Sequence, residues 1–189
     1  MIRFAKNSPI RFTAAGFVSA VISVNFPNHL LILGAIFGVA IVLYLALFEG
    51  IRTPFRFAAF LFACTVSFPL SILGTIVFGI RTPQSAAISL YDLFVGGGIG
   101  AFVVLLSGML LFGPAEMRGD TLGLAFFGAL GGSILGLLGG ELDRAVGPHK
   151  AGDLGASVFF VWQSGIALLL GLLLRWGQKR YLSASQTPT

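Results

Sequence analysis

Long apolar segments alternate along the chain with short polar connections. Five of these segments approach or exceed the roughly 20 residues that an α-helix needs to cross a bilayer. They lie at 29–48, 57–80, 92–113, 121–140 and 154–174. A sixth segment, at 12–24, is apolar for only 13 residues. The pattern predicts an all-α, polytopic integral membrane protein with one transmembrane domain over 1–182. The small, polar stretch 183–189 is expected to be a disordered tail.

Basic residues indicate that the short segment 12–24 also crosses the membrane. With six spans, nine Lys and Arg residues lie on one side of the membrane and three on the other, whereas five spans divide them six and six. The positive-inside rule expects an imbalance. The sequence therefore predicts a compact bundle of six transmembrane helices with both termini cytoplasmic. The first helix is short and is extended by Arg11, whose long side chain reaches the interface.

Composition excludes several classes of function. Only 10% of the residues are charged, against roughly a quarter in soluble domains. The net charge of +5 comes from basic residues beside spans, so we expect the bilayer as partner and no nucleic acid. We also expect localisation in a bacterial plasma membrane. Possible protein partners are further copies of the chain or other membrane subunits.

The side chains needed for catalysis or metal binding are sparse. Cys64 is the single cysteine, His29 is the first residue of the second span, and His149 lies in the connection 141–153. The connection 141–153 mixes acidic and basic residues and could bind a metal or an anionic headgroup, but a solvated turn with local ion pairs is favoured. We therefore predict no catalytic residue, no metal site, no cofactor and no enzymatic activity.

Glycines repeat at intervals of four residues in three spans. They are Gly128, Gly132, Gly136 and Gly140 in the fifth span, Gly34 and Gly38 in the second, and Gly96 and Gly100 in the fourth. Four-residue steps keep the glycines on one helix face, where another helix can approach closely. This glycine-zipper pattern predicts helix packing within the chain. Packing against another subunit and a groove for substrate, lipid or pigment stay open as alternatives.

Two spans carry uncharged polar residues near their middle. The polar residues are Thr65, Ser67 and Ser71 in the third span, which also contains Pro69, and Gln163 and Ser164 in the sixth. Pro69 removes a backbone hydrogen bond and should kink its helix. The buried amide of Gln163 needs a partner, which one of the third-span hydroxyls would supply. Interrupted helices at matching positions of two inverted halves point to a midplane substrate site. Ordinary kinks and polar contacts between helices are the alternative.

These features favour a transporter of a small solute or a lipid, or the membrane subunit of one, with its substrate site at those six residues. The alternative is a non-catalytic structural or assembly subunit that packs through the glycines of the fifth span.

The pentapeptide GIRTP occurs twice, at 50–54 and 79–83. One span separates the two copies, so they lie on opposite sides of the membrane and cannot form a single site. Glycine suits a helix terminus, and proline suits the first helical position. The repeat is therefore interpreted as one kind of joint between helices, used twice.

Overall fold

The computed structural model describes residues 5, 7–26, 29–51, 53–77, 89–146 and 155–184. Within these ranges the chain folds into six α-helices and one 3-10 turn, with no strand. The helices are α1 (Ser8–Ser23), α2 (Leu30–Phe48), α3 (Pro54–Val77), α4 (Leu90–Phe112), α5 (Thr121–Val146) and α6 (Ala156–Ala184), and the 3-10 turn is Ala115–Gly119. The predicted all-α class is confirmed for this part of the chain.

Five of the helices, α2 to α6, are long and apolar enough to cross a membrane. The first helix, α1, has 16 residues, which corresponds to about 24 Å at 1.5 Å per residue. Two helices extend past the C-terminal limits of their predicted spans. The fifth helix continues past residue 140 to Val146, and the sixth continues past residue 174 to Ala184. The stretch 185–189 lies outside the described residues.

The six helices form a ring in chain order. Each helix packs against the next, α1 packs against α6 to close the ring, and α4 also touches α6 across the middle. The largest fully buried side chains fill this ring. Among them are Phe12, Phe37, Phe60, Phe112, Ile166 and Leu170. Residues from α1, α2, α3, α4 and α6 therefore share one core.

Polarity is inverted in α1 relative to a helix of a soluble protein. Phe17 and Val18 are 52% and 54% exposed, whereas Ser19 and Ser23 are fully buried. Large apolar side chains are also exposed along the outer faces of α3 and α5, for example Phe62 and Phe126. An apolar exterior of this extent needs an apolar solvent or a partner. It is the surface that a bilayer would cover.

Most basic side chains of the described part lie at one end of the ring, which we call the basic end. Here α1 and α3 begin, α2 and α6 end, and the 3-10 turn joins α4 to α5. Contacts between Ser8 and Glu49 and between Met117 and Gly177 bring these segments together. The basic residues are Arg11, Arg56, Arg118, Arg175, Lys179 and Arg180. At the opposite end, Arg144 is the one described Lys or Arg.

The connection predicted at 141–153 begins later than expected, because its first six residues continue α5 to Val146. Asp143 is 7% exposed, and its Oδ1 accepts the backbone N–H of Ser157 at 2.9 Å. This carboxylate therefore caps the first turn of α6. The contact stabilises the end of α5 that carries Asp143, so α5 continues past residue 140. The expected local ion pair is present between Glu141 and Arg144, at 3.6 Å. The rest of the connection, 147–153, lies outside the described residues.

The first GIRTP copy forms the joint that was predicted. Gly50 has φ +66°, a left-handed conformation that favours glycine. The N–H of Ile51 returns to the carbonyl of Leu45 at 3.1 Å, and α3 begins at Pro54. The interpretation as a helix terminus followed by a helix start is confirmed for this copy. The second copy, 79–83, lies outside the described residues.

Candidate functional site

The glycines of α5 lie against α4. A β-carbon placed on Gly132 would lie 2.2 Å from Cβ of Ala101, and one on Gly136 would lie 2.2 Å from the carbonyl oxygen of Leu93. Gly128 and Gly140 also face α4 side chains. These distances are far below van der Waals contact, so the two backbones meet where side chains are missing.

The other two predicted glycine pairs also lie between helices of this chain. Gly34 and Gly38 of α2 face α3, where a β-carbon on Gly34 would lie 2.2 Å from the carbonyl oxygen of Cys64. Gly96 and Gly100 of α4 face α3, and Gly100 also faces α6. Their surroundings differ, because a β-carbon on Gly96 would meet its nearest atom at an ordinary 3.6 Å. On Gly100 it would lie 2.8 Å from Oγ of Ser71.

Sequence reasoning missed two glycines at the contact between α1 and α6. A β-carbon on Gly16 would lie 2.5 Å from the carbonyl oxygen of Gln163, and one on Gly171 would lie 2.9 Å from Phe12. The signal was present in α1, where Gly16, Ser19 and Ser23 are small residues on one helix face. The segment was interpreted only for its length and charge.

The amide of Gln163 is fully buried and is bonded by α1. The Oγ of Ser19 lies 2.6 Å from Oε1 of Gln163, and Nε2 of Gln163 donates to Oγ of Ser23 at 3.0 Å. The prediction that a third-span hydroxyl supplies this partner is wrong. Gln163 projects towards α1, so its partners come from the helix on that face of α6.

The hydroxyls of α3 are bonded within their own helix. Thr65, Ser67 and Ser71 each donate to a carbonyl three or four residues earlier, at 2.7–2.8 Å. The helix continues through Pro69. None of the three hydroxyls donates to the carbonyl of Thr65, the group that loses a donor because Pro69 has no N–H. These hydroxyls therefore do not replace the hydrogen bond that Pro69 removes.

Trp162 lies at the middle of the ring, although sequence reasoning did not assign it a role. It is 7% exposed, and its Nε1 donates to the carbonyl of Gly97 at 3.1 Å. Its ring centroid lies 6.3 Å from that of Phe37 and 5.3 Å from that of Phe68. Its Cζ2 approaches Gly100, where Oγ of Ser71 is the other neighbour. We call Phe37, Phe68, Ser71, Gly100 and Trp162 the central cluster.

The predicted site residues are thus only partly assembled. Ser71 reaches the central cluster, and Ser67 is fully buried one turn away on α3. Gln163 points to α1 instead. The Oγ of Ser164 is buried and has no hydrogen-bond partner in the described part of the chain. The aromatic residues Phe68 and Trp162 directly precede Pro69 and Gln163 in the sequence, but aromatic residues in apolar spans do not by themselves mark a cluster.

The central cluster is uncharged and mostly apolar. Its groups are three aromatic faces, one hydroxyl and the backbone of a glycine, and none of its side chains carries a charge. Among the described residues, no group of three His, Cys, Asp or Glu side chains is placed to hold a metal ion. Such a surface suits contact with an apolar group. Its two side-chain donors, the hydroxyl of Ser71 and the N–H of Trp162, already bond backbone carbonyls of this chain.

A second polar cluster joins α1 to α2 at the basic end. Oε1 of Glu49 accepts a hydrogen bond from Oγ of Ser8 at 2.6 Å and another from the hydroxyl of Tyr44. The guanidinium of Arg11 lies 5.7 Å from the ring centre of Phe48, within the range of a cation–π contact. The start of α1 is therefore fixed to the end of α2 by polar groups at the basic end.

Comparison with known proteins gives no match to this chain among protein-family models, curated proteins or solved structures.

Proposed function

We propose that all six helices cross a bacterial plasma membrane, with the basic end and both termini in the cytoplasm. Two observations support the crossing of α1. Its exposed face is apolar and its buried face carries serines, which suits a helix between lipid and protein. The basic end carries six of the described Lys and Arg residues, as the positive-inside rule expects for the cytoplasmic side.

Within this frame the chain acts as a transporter of a small solute or a lipid, or as the membrane subunit of one. The observation that carries this proposal is the contact between Phe68 and Trp162, with ring centroids 5.3 Å apart. It joins the third helices of the two halves, α3 and α6, at the central cluster. Corresponding helices that meet at the midplane are where transporters with inverted halves place their substrate.

The alternative, a structural or assembly subunit, would need a surface other than the four glycines of α5. Those glycines face α4, so a partner helix cannot also use them. A lipid-exposed face such as that of α5 around Phe126 would have to serve instead.

Native mass spectrometry after mild extraction tests the transport role. We expect the wild type to retain a small molecule or a lipid, and Ser71→Ala to retain less. Where the retained molecule donates a hydrogen bond to Oγ of Ser71, loss of that bond, worth about 1 kcal/mol, weakens binding about fivefold. Ser107→Ala is the matched control, because the Ser107 hydroxyl also donates to a carbonyl of its own helix but lies outside the central cluster. A wild type that retains no molecule, or retains a partner protein instead, would contradict the proposal.

A further inference from the structure

We propose that α1 is a lateral gate, and that the molecule it admits to the central cluster is the acyl chain of a phospholipid. This inference rests on the proposed function and narrows its substrate class from small solutes and lipids to lipids. It follows from the position of α1, from the way α1 is attached, and from the absence of charge in the cluster behind it.

The position of α1 makes it the cover of the interior on one side. It packs against both α2 and α6 and closes the ring between them. Phe12 of α1 is fully buried in the same core as Trp162, and its ring centroid lies 4.5 Å from that of Tyr44 on α2. Outward movement of α1 would therefore open a path from the lipid to the core between α2 and α6.

The attachment of α1 is polar at two points. Near its start, Ser8 donates to Glu49, and near its end, Ser19 and Ser23 bond Gln163. The bond to Gln163 has a ready substitute, because Oγ of Ser19 also lies 2.7 Å from the carbonyl of Gly16 in its own helix. Ser19 can therefore keep a partner when α1 leaves α6, whereas the amide of Gln163 loses its partners Ser19 and Ser23.

The bilayer contributes little to the free energy that holds α1 against α2 and α6. Lipid tails are as apolar as the helix faces, so no hydrophobic gain drives α1 onto the bundle, and hydrogen bonds between membrane helices average only about 0.6 kcal/mol. At about 24 Å, α1 is also shorter than the hydrocarbon core of about 30 Å. Gly16 and Gly171 bring α1 close to α6. However, α1 is the shortest helix of the ring, and its contact with α2 is the least extensive between ring neighbours, so α1 is the element that we expect to move.

The central cluster selects the kind of molecule that enters. Its side chains offer aromatic faces and one hydroxyl, and Gln163, the nearest amide, is already bonded by α1. An ion or a zwitterion would lose its hydration without gaining a counter-charge, at a cost of several kcal/mol. An uncharged apolar chain has no such cost and gains contact with Phe37, Phe68 and Trp162.

The fluorescence of Trp162 can report whether lipid chains reach the cluster. In Trp176→Phe, Trp162 is the only tryptophan. This protein, with Cys64→Ala, is reconstituted in phosphatidylcholine vesicles with brominated or ordinary acyl chains. Phe17→Cys and Phe160→Cys provide a lock, because their native rings are 5.2 Å apart at the outer edge of the α1–α6 contact. A short bismaleimide joins them, and Phe17→Cys alone is the control.

We expect bromine-dependent quenching of Trp162 in the unlinked protein and loss of most of that quenching after linking. Gln163→Leu should increase the quenching, because it removes one of the two attachment points. Equal quenching before and after linking, no quenching in either state, or quenching by aqueous acrylamide but not by brominated chains would overturn the gate. If one of these quenching results is found and mass spectrometry shows a retained polar solute, the proposed transport role holds. Only the proposed path for lipid is then contradicted.

Discussion

Substitution of the α5 glycines by alanine tests how closely α4 and α5 approach. Alanine adds one methyl group at each position. At Gly132 that methyl would overlap Cβ of Ala101, and at Gly136 it would overlap the carbonyl oxygen of Leu93. Gly123 is the matched control in the same helix, because a β-carbon there meets nothing within 4 Å.

The expected magnitude comes from two opposing terms. Replacing glycine by alanine inside a helix stabilises it by roughly 0.5–1 kcal/mol, and this gain is common to all three positions. Overpacking a tight contact costs about 1–3 kcal/mol. The cost applies in full at Gly136, because its neighbour is a backbone atom that cannot rotate away. Gly132→Ala and Gly136→Ala should therefore be less stable than Gly123→Ala by about 1–3 kcal/mol.

The assay is thermal unfolding in one detergent. The quantity measured at each temperature is the fraction of protein that stays monodisperse in size-exclusion chromatography. For a chain of this size, each kcal/mol shifts the midpoint by roughly 2–4 °C. Midpoints for Gly132→Ala and Gly136→Ala that equal or exceed that of Gly123→Ala would refute the close backbone contact.

Three further predictions concern single positions. Gly96→Ala should leave the unfolding midpoint unchanged or raised, whereas Gly97→Ala should lower it, because a β-carbon there would lie 2.6 Å from an α5 carbonyl oxygen; a reversed order would contradict the α4 register. Asp143→Ala should cost about 0.5–2 kcal/mol by uncapping α6 and should speed amide hydrogen exchange at Ser157, and unchanged exchange would exclude the cap. Gly50→Ala should cost about 1–2 kcal/mol in thermal unfolding from its left-handed backbone, with Gly50→Asn milder, and equal midpoints would argue against that conformation.

The helices and their approximate limits were predictable from sequence, because hydrocarbon forces backbone groups to bond within a helix and hydropathy then marks the span. The predicted C-terminal limits were wrong where a helix continues into a polar segment. Asp143 extends α5 because it caps α6, and Gly177 of the long α6 rests on Met117 of the 3-10 turn. Both extensions depend on contacts between elements that are distant in sequence, which local hydropathy does not contain.

The candidate site was predicted in part, for a related reason. Periodicity places Gln163 and Ser71 on particular faces of their helices, but it does not say which neighbour occupies each face. The order of helices in the ring decides this, and it puts α1 beside Gln163. Trp162 was overlooked because an aromatic residue in an apolar span carries no distinctive signal. Its position among four helices becomes visible only in three dimensions.

Cysteine labelling on intact bacterial cells tests the six-span topology most directly. In a Cys64→Ala background, a single cysteine replaces either Asn7 or Asn25. Both residues are exposed, and they lie just before the start and just after the end of α1. The account predicts that a membrane-impermeant maleimide labels Asn25→Cys in intact cells and labels Asn7→Cys only after the cells are permeabilised. Labelling of both cysteines in intact cells, or protection of both, would place the two ends of α1 on one side of the membrane and contradict the six-helix transmembrane bundle.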